Sequence, residues 1–97
     1  MIRSEVITNR SVEDDLLEQF RELGLPNVYT KLTSVHGAGS SGERHGDHVW
    51  PEENVLILIY SDSAQGLAVR EAVRRVKSVF PAAGIKLFQF EIDVVEL

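Results

Sequence analysis

The run Val55-Leu56-Ile57-Leu58-Ile59-Tyr60 is apolar at both parities of a β-strand. Whichever way such a strand is turned, both of its faces carry hydrophobic side chains that require cover. The run therefore belongs at the centre of a sheet. Helices packed on one side cover only one face, and a chain of 97 residues has room for one hydrophobic core, so one domain spanning 1–97 is expected. The simplest cover for the second face is the sheet of another subunit. Ile57 and Ile59 are accordingly expected at a subunit interface, and the chain is expected to oligomerise.

The flanking sequence supplies the rest of such a sheet. Ile2 to Thr8 begins with alternating character and reads as a first strand. Ser11 is placed to cap a helix whose first turn holds Glu13, Asp14 and Asp15, at the positive end of the helix dipole. Leu16, Leu17, Phe20 and Leu23 fall on one face of that helix, and Gly24 followed by Pro26 stops it. Val28 to Val35 alternates as a second strand. After the central third strand, Asp62 or Ser63 caps a second helix carrying Val69, Val73, Val76 and Phe80, which Pro81-Ala82-Ala83-Gly84 breaks. Ile85 to Ile92 sets Lys86, Phe88 and Phe90 against Ile85, Leu87 and Gln89 as a fourth strand, with Val94-Val95 as an extension or a short further strand. The order is that of an α+β, ferredoxin-like βαββαβ sandwich: a four-stranded antiparallel sheet with two helices on one face, placed there by right-handed crossovers.

Composition excludes several classes. The formal net charge of −5 disfavours a broad grip on phosphate backbones, so no nucleic-acid partner is expected. Arg70, Arg74, Arg75 and Lys77 read as the solvated face of the second helix. No apolar run reaches the roughly 18 residues that span a bilayer, and the first residues lack the form of a signal peptide. Membrane insertion is not expected, and a cytoplasmic location is; the absence of cysteine is compatible with it.

Chemistry concentrates in the segment from Ser34 to Glu53, longer than two antiparallel neighbours need and past the roughly 12 to 15 residues beyond which loops are usually functional or disordered. It holds all 3 histidines and the single tryptophan. Gly37 and Gly39 permit close backbone approach to a ligand, and successive amides there can form an anion-binding nest. The Gly-Ala-Gly lacks both the helix of a dinucleotide fingerprint and the Lys-Ser/Thr of a P-loop. His36, His45 and His48, with Asp47 and Glu43 nearby, offer neutral imidazoles to a divalent metal. Trp50, restrained by Pro51, suits a subunit boundary. Ser40 and Ser41 have no nucleophile motif around them, and no enzymatic activity is expected.

Four segments together resemble the PII-like family of small signalling proteins. They are Ile2-Arg3-Ser4-Glu5-Val6-Ile7, the helix close Glu22-Leu23-Gly24-Leu25, Val35-His36-Gly37-Ala38-Gly39, which is similar to the family's Val-Lys-Gly-Phe-Gly junction, and Lys86-Leu87-Phe88-Gln89-Phe90-Glu91-Ile92. The resemblance implies a homotrimer with sheets facing inward. It implies clefts between subunits that take small anionic ligands, commonly adenine nucleotides, and a long loop, here Ser40 to Glu53, that signals occupancy to a regulated protein. By position, His36, Gly37 and Gly39 line the cleft and Lys86 faces phosphate. The chain departs from the family pattern in its shorter loop without a tyrosine, in Ala83-Gly84-Ile85 where the family has Gly-Asp-Gly, and in Asp93 and Glu96 where basic residues are expected. The related CutA-like proteins share the plan and are associated with divalent-metal tolerance, which gives the loop histidines a second reading as metal ligands.

Overall fold

The computed structural model describes residues 1–25, 29–39, 42–44 and 53–97. Its main sheet is built from β1 (Ile2–Asn9), β2 (Thr30–Val35), β5 (Asn54–Ser61) and β6 (Ile85–Glu91), in the spatial order β2-β5-β1-β6 with every pairing antiparallel. Two further strands, β3 (Gly37–Gly39) and β4 (Gly42–Arg44), form a separate small ladder inside what the sequence presents as a loop. Helices α1 (Glu13–Glu22) and α2 (Ser63–Val79) pack on each other, and α2 packs on β1 and β6. This is the expected βαββαβ sandwich.

Local chemistry explains the element ends. Asn9, not Ser11, caps the first helical segment: its side-chain oxygen accepts from the Ser11 amide at 3.0 Å, and a 3-10 turn over Arg10–Val12 leads into α1. The carboxamide, placed just outside the turn, satisfies an orphan donor that Ser11 itself contributes. The close of α1 is a complete Schellman motif. The Leu25 amide donates to the Phe20 carbonyl at 2.9 Å and the Gly24 amide to the Arg21 carbonyl at 3.0 Å, with Gly24 at φ 73°. Phe20 and Leu25 are both buried, supplying the apolar contact that accompanies the motif. At α2, Asp62 is the cap. Its carboxylate accepts from the Gln65 amide at 2.7 Å while Gln65 accepts from the Asp62 amide at 3.1 Å.

The core lies between the helices and one sheet face. It joins Val6, Leu16, Phe20, Val55, Ile57, Ile59, Val69, Ala72, Val73, Val76 and Ile85, with Leu17, Leu23 and Leu87 packed against it. Phe80 follows the last turn of α2 and is exposed, because the buried stripe ends at Val76. The second strand starts at Thr30, and Val28 lies outside the described residues. Val94 and Val95 are exposed and form no strand. Beyond β6, the Ile92 amide donates to the Met1 carbonyl at 3.0 Å, so the start of β1 lies beside the exit from β6.

The parity of β5 is the main correction to the interface expectation. Val55, Ile57 and Ile59 point under the helices and are buried within the protomer, so Ile57 and Ile59 are core residues and not interface residues. The opposite parity, Leu56, Leu58 and Tyr60, shares the helix-free face with Leu32, Ile7, Phe88 and Phe90 through the strand register. Tyr60, Phe88 and Phe90 remain 47%, 50% and 44% exposed there. The second apolar face inferred from sequence exists, one residue out of step with the residues assigned to it.

Candidate functional site

The site is built at one end of the sheet. β1 runs out there at Asn9, β2 ends at Val35, β5 starts at Asn54 and β6 starts at Ile85, and backbone hydrogen bonds tie these ends into a rim. Val35 stands opposite Asn54, the Arg10 amide donates to the Glu53 carbonyl at 2.9 Å, and the Asn9 amide donates to the Gly84 carbonyl at 3.2 Å. The rim fixes the entry to β5 and the entry to β6 relative to one another.

From this rim the chain leaves the sheet. The register of β2 on β5 shifts between Leu32 and Val35, and Ser34 sits at φ 57°, in the left-handed region that side chains other than glycine rarely adopt. That irregularity interrupts the ladder before its last pair, Val35 opposite Asn54, after which His36 leads into the separate β3–β4 ladder. In the ladder Gly37 stands opposite Arg44, Ala38 opposite Glu43 and Gly39 opposite Gly42. The sequence signal for it is present in retrospect: Gly39-Ser40-Ser41-Gly42 sets glycines around two small polar residues, a hairpin composition.

An open cleft of about 470 Å³ lies beside the root of this hairpin, lined by Arg10, Glu13, Asp14, Lys31, Thr33, Ser34 and Glu53. Both of its cations are engaged. Arg10 Nη1 donates to Glu53 Oε1 at 2.9 Å, and Lys31 Nζ donates to Glu13 Oε2 at 2.7 Å. The hydrogen bond to Glu13, reinforced by the charge of that carboxylate, raises the Lys31 ammonium above its ordinary pKa. With Asp14 as a third carboxylate, the described residues of the cleft offer no spare positive charge to an anion. None of these pairings follows from the sequence spacing, because each joins residues on different elements.

Of the residues expected at a ligand site, His36 and the backbone of Gly37 and Gly39 stand at the hairpin, and Lys86 stands exposed near the start of β6 on the helix-free face. All belong to the same end of the sheet, at its two opposite edges. Three strand spacings of roughly 4.8 Å each put β2 and β6 about 14 Å apart, so Lys86 and the strand from which the glycine segment continues stand at opposite edges of the sheet. His45, His48 and Trp50 lie outside the described residues. Among the described residues no group of three or more His, Asp or Glu side chains is arranged to hold a metal ion, and no helix is long and apolar enough to cross a membrane.

This fold, a four-stranded sheet in the order β2-β5-β1-β6 with two helices, is shared with solved structures of PII-like nitrogen regulatory proteins. The particular structures it matches include CPII, a nitrogen regulatory PII-like protein from Thiomonas intermedia K12 bound to ADP, AMP and bicarbonate. The TM-score is 0.77 at 18% identity, over 96% of this chain and 86% of that one. A second structure of CPII, bound to ADP and bicarbonate, superposes with a TM-score of 0.75 at 18% identity over the same shares. A DUF3240 family protein from Shewanella baltica OS155 matches with a TM-score of 0.67 at 15% identity, over 99% of this chain and 94% of that one. No family model matches the sequence, and no curated protein does.

Proposed function

We propose that the chain is a non-enzymatic, PII-like regulator that binds an adenine nucleotide or a similar small anion in clefts between the subunits of a homotrimer. The hairpin and the residues after it, Ser40 to Glu53, report occupancy to a regulated protein. The observation that carries this reading is the opposite-edge placement of the two halves of the site. Gly37 and Gly39 leave from the β2 edge, Lys86 stands by the β6 edge, and the cations of the nearby cleft are already paired. Where the β2 edge of one subunit approaches the β6 edge of the next, a phosphate can meet both the glycine backbone and the Lys86 ammonium. The apolar helix-free face supplies the reason for subunits to associate, since its aromatic side chains are left half-covered in the protomer. The ligands of CPII, ADP and AMP with bicarbonate, are the natural first panel.

Isothermal titration calorimetry with ADP and AMP, each with and without bicarbonate, tests the proposal. Saturable binding is expected, weakened about tenfold or more by Lys86→Ala through loss of a charge-assisted hydrogen bond. Absence of saturable binding to every nucleotide would overturn it. A divalent ion that raises the melting temperature, with the rise abolished by joint alanine substitution of His36, His45 and His48, would instead support the CutA-like reading.

A further inference from the structure

On the helix-free face of β1 stands a charged pair in aromatic surroundings. Arg3 lies opposite Tyr60 of β5 and opposite Phe90 of β6. Its guanidinium carbon is 5.8 Å from the Tyr60 ring centre and 5.5 Å from that of Phe90, distances at which a cation is attracted to ring faces. Nη2 pairs with Glu5 Oε1 at 2.9 Å, and Nη1 reaches the Tyr60 hydroxyl only at 3.3 Å. The Nε–H is enclosed by the protomer and has no acceptor among the described residues. Glu5, two residues on and on the same face, has Leu58 and Phe88 as register partners.

A face of this kind is poorly suited to a purely apolar partner. Covering it dry strips water from both ions, and a buried pair is favourable only when its remaining hydrogen-bonding capacity is filled. Arg3 finds no acceptor for its Nε–H among the described residues, and its pairing with Glu5 engages one oxygen of that carboxylate. The two residues carry opposite charges side by side, so the patch is complementary to itself, whereas a partner of one sign would satisfy one ion and repel the other. We infer that Arg3 and Glu5 are the specificity pair of self-assembly: when a second copy docks on the helix-free sheet face, the guanidinium of each Arg3 takes the Glu5 carboxylate of a neighbouring subunit as a second acceptor. This rests on the oligomer proposed above and names the residues that fix its register.

Sedimentation equilibrium on the full chain over a concentration series tests the inference, with circular dichroism as the check on folding. Arg3→Met leaves a neighbour's carboxylate buried without its cation, and is expected to weaken assembly on the order of 100-fold. The double substitution Arg3→Met with Glu5→Met removes both charges and is expected to recover most of the loss. If the face acted only as an apolar surface, Arg3→Met would tighten assembly, and that result, or an unchanged constant, would overturn the inference. Failure of the double variant to recover would overturn it too, by separating Arg3 from Glu5. A wild-type chain that stays monomeric would instead overturn the oligomer itself, so the two failures are distinguishable. Should Arg3→Met not fold, Arg3→Lys carries the test. It keeps the charge and loses the planar fork, and weakened assembly with a native spectrum is expected.

Discussion

At the scale of single residues, backbone sign and ion pairing make separable demands. Gly24, at φ 73°, meets no atom of the described residues within 4 Å of where a Cβ would stand, so Gly24→Ala is opposed by backbone conformation. A loss of about 1 kcal/mol in urea denaturation is expected. The Lys31–Glu13 pair fastens the edge strand β2 to the start of α1. Because the folded-state pKa of Lys31 is raised, the folded chain holds that proton more tightly than the unfolded one. The pair's contribution is therefore complete below the ordinary lysine value of 10.5 and is lost as pH climbs through the raised value. Urea midpoints measured upward from about pH 9.5 are expected to fall more steeply for the wild type than for Glu13→Gln in that window.

At the scale of elements, the sheet and the hairpin are separable. Val35 stands opposite Asn54, so the β2–β5 pairing is closed before the hairpin begins. Replacing residues 37–52 by Asn-Gly, with His36 and Glu53 kept, is expected to preserve cooperative thermal unfolding while abolishing nucleotide binding, as read by differential scanning fluorimetry and calorimetry. Both helices and all four main strands were legible in the sequence because each carries a local signal: the stripe Leu16, Leu17, Phe20 and Leu23, the cap at Asp62, the alternation from Ile85 to Gln89. What escaped was set by contacts between distant elements. The carboxamide of Asn9 competes successfully with Ser11 for the cap, and the turn at Ser34 truncates the alternation of β2. The candidate site was legible as glycines and a lysine, but the opposite edges on which they stand follow only from strand order. The side chains that pair around the nearby cleft come from separate elements and share no sequence pattern.

For the whole molecule, the parity of β5 divides stability from association. Ile57, fully buried, fills the protomer's core, and Ile57→Ala is expected to lose about 2 to 4 kcal/mol in chemical denaturation. Leu58 points the other way, and Leu58→Glu is expected to leave the denaturation midpoint nearly unchanged while shifting sedimentation toward the monomer. A Leu58→Glu chain that assembles as well as the wild type would count against the helix-free face as the contact surface. The hydrogen bond from Ile92 to Met1 carries a practical corollary. It places Met1 and the exit from β6 at the pole opposite the rim, about 23 Å away along seven residues of strand. A fluorophore, an affinity handle or a sensor chip joined at Met1 would leave the glycine hairpin free to meet whatever is offered to it.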